Sequence, residues 1–233
     1  LLPSSSSRIA HWLYSQMSPL VIGLTGGIGV GKTTTANLIK EYGANIVDVD
    51  QIGRDVLHKD PDAKAKIIKE FGASILDKAG NIDRARLGKI VFSNIEHLQT
   101  LEAISHPAIN QTLARRIGKQ DSGVIILDMA VLVEKKLAYS QGLPMYQKVV
   151  VVESEIALRT KRLRQRGLTN AEIEKRIRSQ ATDRERSEIA DYVISNNGSM
   201  KDLQSQIKKL WEEIETWRLN VTNDCMSRDQ RNK

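Results

Sequence analysis

Apolar and polar positions along the chain fall into two patterns. Five short runs, at 20–25, 44–49, 124–127, 148–152 and 192–194, are mostly apolar, and all but 44–49 hold three or more consecutive apolar residues. Such runs read as strands buried on both faces of a parallel sheet. Elsewhere apolar residues recur every three or four positions, the spacing of one helical face. Ala36, Leu38 and Ile39 follow the first run in this way, and Leu203, Ile207, Leu210, Ile214 and Trp217 follow the last. The order is strand, helix, strand, helices, strand, helix, strand, helices, strand, helix. That alternation predicts the α/β class with a doubly wound parallel sheet.

The intervals between strands are unequal. About 70 residues separate the second run from the third, with helical patterns at 62–71, 84–92 and 95–117. A simple crossover needs about a dozen residues, so 51–120 reads as an inserted helical region that binds substrate. A basic helical pair follows Val152, with Thr169 or Asn170 able to cap its second helix, and 155–187 reads as a lid. The core is then 18–50, 121–154 and 188–217. Ser199 with Asp202 resembles a capping box opening the closing helix. Residues 218–233 form a polar tail, where the chain is expected to fray. Residues 1–17 read as an extension, expected to be disordered, ahead of a natural start at Met17. No acidic residue precedes Glu41, which leaves an organelle transit peptide as the alternative.

Composition changes this picture little: 233 residues, 40% hydrophobic and 27% charged, are ordinary for a soluble protein. No run reaches the roughly 20 apolar residues that span a bilayer, so no membrane partner is expected. One cysteine and four histidines exclude a disulfide framework and a zinc cluster, and suit a reducing, cytoplasmic location. The net charge is +7, and its location matters more than its size. Between 156 and 186 stand ten basic and four acidic side chains, a net +6. A nucleic-acid surface would add exposed aromatics or a reading helix, and the sequence offers neither. A basic lid over nucleotide phosphates is the economical reading. Pairs such as Glu172–Arg176 and Glu174–Arg178 mark part of it as a solvated face.

The candidate chemistry begins where the first run ends. Residues 26–33, Gly-Gly-Ile-Gly-Val-Gly-Lys-Thr, satisfy the phosphate-binding pattern G-x-x-x-x-G-K-S/T between a predicted strand and a predicted helix. Glycines let the backbone curl so that successive N–H groups face phosphate oxygens, and the following helix adds its positive end. This assigns an ATP site to Gly27, Ile28, Gly29, Val30, Gly31, Lys32, Thr33 and Thr34. Lys32 reaches the outer phosphates, and the Thr33 hydroxyl can ligate Mg²⁺. Asp128 closes the third run and is placed as a second Mg²⁺ residue, through water, or as a solvated strand-end acid.

The second run ends Asp48-Val49-Asp50. If the strand persists to Asp50, both carboxylates project to one side at the sheet's carboxyl edge, where ligands of open α/β sheets bind. One would take a proton from an attacking hydroxyl, the other would support it. A helix N-cap is the bland alternative for Asp50. Arg54 shares a face with Asp50 if a helix starts there, and can clamp a phosphate. Asp50-Gln51-Ile52-Gly53 also spells the D-x-x-G of nucleotide switches, but it follows the phosphate loop too closely, and no Asn-Lys-x-Asp segment exists.

Residues 23–33 closely resemble the phosphate loop of dephospho-coenzyme A kinases. The segment 47–56 is similar to that family's Asp-x-Asp segment and following Arg, and 101–109 to its His-Pro signature. Arg162, Arg166, Arg176-Ile177 with Gln180, and 190–194 followed by Asn196 complete a resemblance covering about residues 18–215. Ala130-Val131-Leu132 and Glu134 stand where the family usually has Pro-Leu-Leu and a Glu. The loss of that Pro puts the local loop shape in question. The resemblance implies a P-loop kinase fold: a five-stranded parallel sheet flanked by helices, with an inserted substrate region and a helical lid. It implies phosphoryl transfer from ATP to the ribose 3′-hydroxyl of dephospho-coenzyme A. Asp50 is then the base, Asp48 its support, and Lys32 and Arg162 the catalytic cations. Arg166 joins from the lid, Asn196 lies toward adenine, and Asp48, Arg54 and His106 lie toward the acceptor. Another small-molecule kinase of the nucleoside-monophosphate type is the alternative. The oligomeric state is not legible.

Overall fold

The computed structural model describes residues 19–120, 122–135 and 137–230. The expectations for residues 1–17 lie outside them. The described strands, in chain order, are β1 (Leu20–Thr25), β2 (Asn45–Asp48), β3 (Val124–Asp128), β4 (Tyr139–Ser140), β5 (Leu143–Pro144), β6 (Lys148–Glu153) and β7 (Tyr192–Ser195). The described helices are α1 (Lys32–Glu41), α2 (Val49–Lys59), α3 (Pro61–Phe71), α4 (Arg84–Val91) and α5 (Ile95–Ile117). They continue with α6 (Ile156–Gln165), α7 (Asn170–Arg178), α8 (Asp183–Glu188) and α9 (Met200–Gln230). These elements group into two units. One comprises the described residues through Val47, Ile117–Lys136 and Tyr146 onward; the other comprises Asp48–Arg116 and Leu137–Met145.

The first unit is built on the five apolar runs, which form one parallel sheet flanked by helices. Its order is β2-β3-β1-β6-β7. β1 lies centrally, parallel to β3 and β6, with Leu24 in register with Asp128. All six β1 residues are buried, which is why the run is continuous rather than alternating. Ile22, Leu24, Ile126 and Val150 of the sheet pack with Ala36 and Ile39 of α1 and with Leu203, Ile207, Leu210, Ile214 and Trp217 of α9. Each such aliphatic side chain contributes about 1.5–3 kcal/mol on burial. Lys148 sits over the Trp217 ring, 5.3 Å from its centroid, and Trp211 stacks on Tyr42.

Capping residues set where three of these helices begin. Thr169 and Glu172 form a complete capping box at α7, as Thr182 and Glu185 do at α8. Ser199 and Asp202 bond reciprocally at α9, the Asp version read from sequence. Backbone helix continues to Gln230, past Arg218, where the polar tail was expected to begin. No Gly or Pro follows Gly198, and polar residues alone do not stop a helix.

The second unit is helical. Ile67, Phe71, Ile75, Ile82, Leu87 and Val91 form its core, with Leu98, Leu101 and Ile104 of α5 packed against it. Asp60 and Asp83 cap α3 and α4 by accepting backbone N–H bonds. Pro107 lies inside α5. A short antiparallel hairpin, β4–β5, also belongs to this unit, although residues 137–145 fall within the stretch read as core. The Ala138 N–H donates to Asn110 Oδ1 of α5 at 3.0 Å. No described helix is long and apolar enough to cross a membrane.

Candidate active site

The phosphate loop leaves the carboxyl end of β1 and enters α1 through Gly31. That residue is the helix N-cap at φ 96°, a left-handed conformation that favours glycine. No side chain caps α1, and its first turn holds no acid. Its leading N–H donors therefore suit an anion, and the helix dipole adds to them. Thr33 and Thr34 are exposed in that turn. The Lys32 ammonium pairs with the Asp128 carboxylate, both side chains about 15% exposed or less. The register that sets Asp128 beside Leu24 brings this carboxylate to the start of the loop.

The loop's carbonyl groups are held from the lid and from the end of β7. Arg162 Nη1 donates to Gly29 O at 3.3 Å, Val30 O at 3.2 Å and Ser154 Oγ at 3.1 Å, while its Nη2 donates to Asn196 O at 2.9 Å. Asn196 is buried, and its Nδ2 donates to Val30 O at 2.7 Å. A trans peptide points its C=O and the next N–H in opposite directions. Fixing the Val30 carbonyl from this side thus aims the Gly31 N–H to the other side. Arg162, expected over the transferring phosphoryl, here lies on the loop's own carbonyls. Asn196, expected toward adenine, holds the same loop. Arg166 is exposed. Ile28 differs from its neighbours, because its N–H donates to Gln180 Oε1 at 2.8 Å. That amide is engaged by a side chain rather than presented to a phosphate.

The acidic pair belongs to the second unit. β2 ends at Asp48 and α2 starts at Val49, so the strand does not persist to Asp50 and the two carboxylates do not share a strand face. The physical reason is a cap: Asp48 Oδ1 accepts the Gln51 N–H at 2.7 Å, which starts the helix. The capping role weighed for Asp50 thus falls to Asp48. Asp50 stands half-buried in the first turn of α2, and Arg54 follows one turn later on that helix. Arg54 Nη2 lies 3.5 Å from Asp48 Oδ2, and its Nε donates to Gln51 Oε1 at 2.8 Å. His106 is half-buried in the middle of α5.

Comparison with known proteins decides what this arrangement belongs to. The dephospho-CoA kinase family model matches residues 20–202. A dephospho-CoA kinase of Corynebacterium glutamicum is 42% identical over 199 residues, 84% of this chain and 97% of that protein. The chain belongs to the dephospho-CoA kinase family. A crystal structure from Thermus thermophilus aligns with a TM-score of 0.71 at 28% identity, over 84% of this chain and 97% of that one. The dephospho-CoA kinase from Campylobacter jejuni aligns at 0.58 and 27% identity, over 83% and 96%.

As in any kinase family, membership implies ATP as the phosphoryl donor. The departure at Ala130 leaves an ordered turn. Lys135 N donates to Val131 O at 3.0 Å, Leu132 is buried, and Glu134 Oε1 accepts from Ala181 N at 2.7 Å and Arg186 Nη2 at 3.0 Å. Sequence reasoning missed how thoroughly Arg159 and Arg186 are buried, at 2% and 1% exposed. Burial holds the Arg159 guanidinium below its ordinary value, against the opposing pull of Asp183. A signal for Arg159 existed: it precedes Leu163 by four positions, and a helical face containing buried Leu163 also carries Arg159.

Proposed function

We propose that this chain transfers the γ-phosphoryl of ATP to the ribose 3′-hydroxyl of dephospho-CoA, giving CoA and ADP at the last step of CoA biosynthesis. Family membership across residues 20–202 carries the reading. In-line phosphoryl transfer asks a protein chiefly for positioning and charge neutralisation. The amides of Gly29 and of Gly31 to Thr34, with the Lys32 ammonium, take the β- and γ-phosphates. Lys32 exchanges its pairing with Asp128 for phosphate oxygens as ATP enters. The Thr33 hydroxyl and the Asp128 carboxylate, both oxygen donors, fit a Mg²⁺ ion, Asp128 through water. An ion held by these two residues would supply neutralisation of phosphate charge.

Asp50 accepts the proton of the 3′-hydroxyl as its oxygen bonds to the γ-phosphorus and the bond to the ADP oxygen breaks. Asp48 supports Asp50 from the helix cap, Arg54 clamps an acceptor phosphate, and His106 shapes the acceptor pocket. Arg162 Nη1 shares two protons among three acceptors at 3.1–3.3 Å, so it is the donor that gains most by turning to a phosphate oxygen. Arg166 joins it from the lid, and Asn196 stays with the loop rather than the base. The compartment is cytoplasmic on this reading. The test is ADP release with Mg-ATP and dephospho-CoA beside AMP, shikimate and no acceptor. Turnover confined to dephospho-CoA is expected; turnover confined to another acceptor overturns the substrate assignment while leaving the ATP site.

A further inference from the structure

Two side chains outside the recognised motif grip one residue of the phosphate loop from both of its peptide groups. The Ile28 N–H donates to Gln180 Oε1 at 2.8 Å, and Arg159 Nε donates to Ile28 O at 2.9 Å. The peptide geometry gives this grip a direction. With the Ile28 carbonyl turned to Arg159, the Gly29 N–H of the same peptide points the opposite way. With the Ile28 N–H turned to Gln180, the Gly27 carbonyl points away from Gln180, and it accepts the Val30 N–H at 3.3 Å. The curl of the loop is therefore fixed at Ile28 before any phosphate arrives. A Cβ on Gly27 would strike the Arg159 guanidinium, so the glycine there makes room for this cation.

The grip is itself anchored. Arg159 Nη1 meets both Asp183 oxygens at 3.1–3.2 Å, and Arg186 Nη1 approaches Asp183 Oδ1 at 3.4 Å. Arg186 reaches Glu134, which also holds the Ala181 N–H beside Gln180. A buried guanidinium costs free energy unless it is paired and hydrogen-bonded, and this one is spent on a single loop carbonyl and one carboxylate.

We propose that Arg159 and Gln180 are positioning residues for ATP: they clamp the Ile28 peptides, aim the Gly29 N–H, and so set nucleotide affinity without touching the reacting atoms. The proposal rests on the reading of the loop as an ATP site. The test is calorimetric binding of a non-hydrolysable Mg-ATP analogue to Gln180→Leu, Arg159→Met and Arg159→Lys, with backbone amide exchange read alongside. Gln180→Leu and Arg159→Met each weaken binding about tenfold, the scale of one lost hydrogen bond to a preorganised loop. Arg159→Lys recovers part of the loss, because an ammonium can still donate to Ile28 O and meet Asp183. At saturating ATP, kcat with dephospho-CoA stays near wild type while the KM for ATP rises. Exchange quickens at Gly29 and Gly31 but not in β1 or β3. Binding within twofold of wild type in both deletions overturns the clamp, as does a loss seen only in the unfolding midpoint. Should Arg159→Met fail to fold, Gln180→Leu, altered at a half-buried side chain, decides alone. A wild-type protein that binds the analogue but ignores dephospho-CoA refutes the acceptor and leaves the clamp standing. One that fails to bind the analogue removes both.

Discussion

At the residue scale, the groups proposed to meet phosphate are distinct from those that hold the loop. Lys32 and Asp128 form an ion pair at the start of the loop. The proposed mechanism gives Asp50 the proton-transfer role, and Asp50→Asn keeps its shape while removing its basicity. We expect kcat to fall by about 10²-fold or more, the usual worth of general-base catalysis, with ATP-analogue affinity unchanged. A variant retaining most of its turnover would remove Asp50 from that role. Thr35 makes a second residue-level case: its hydroxyl is buried in α1 with no hydrogen-bond partner. Thr35→Val removes that unmet group at equal volume and is expected to raise unfolding stability by about 1 kcal/mol in urea titration. A loss of stability would show that the hydroxyl is satisfied in solution. The loop motif was legible because its chemistry is local, from Gly26 to Thr33. The contacts of Arg159 and Gln180 with Ile28 were not, because that partner lies more than a hundred residues away along the chain.

At the element scale, the sequence was readable wherever periodicity and capping agreed. The runs became the five sheet strands, and 95–117 became one helix despite Pro107. Reading stopped at cap geometry: the Asp48 carboxylate started α2 two residues earlier than a strand reaching Asp50 would allow. It also stopped at β4–β5, whose two-residue strands carry no periodicity, whose turn sets Gln141 as well as Gly142 at positive φ, and which follows Ala138, also at positive φ. The capping acids yield a pH prediction. Glu172 and Glu185 are held below their ordinary value by the backbone N–H bonds of Thr169 and Thr182, then by the hydroxyls; Asp202 is lowered first by the Ser199 hydroxyl. A carboxylate lowered by folding stabilises above its unfolded value and loses that contribution as pH falls through the folded one. Replacing all three by Gln, Gln and Asn should lower the thermal midpoint near neutrality, and the gap from wild type should close in acid. A gap that persists in acid would place the effect elsewhere than in the ionised caps.

At the scale of the whole molecule, the fold class followed from the order of patterns, and the acceptor did not. A P-loop core serves many kinases, so fold alone leaves the substrate open. The segments 47–56, 101–109 and 190–196, taken in order with the loop, narrowed it, and family membership over residues 20–202 bears that out. The +6 charge between 156 and 186 reads differently in the structure. Arg159, Arg162 and Arg186 face inward to loop carbonyls and carboxylates, while Arg164, Arg166 and Arg178 remain exposed. Part of that charge therefore holds the loop instead of lying over it. The most direct measurement of the central claim follows the phosphoryl group itself. ATP labelled at its γ-phosphate is incubated with the protein and dephospho-CoA, and the product is treated with a 3′-nucleotidase. The account predicts label in CoA that is fully released by that enzyme. Label found only as inorganic phosphate regardless of acceptor, or in CoA but resistant to 3′-nucleotidase, would contradict it.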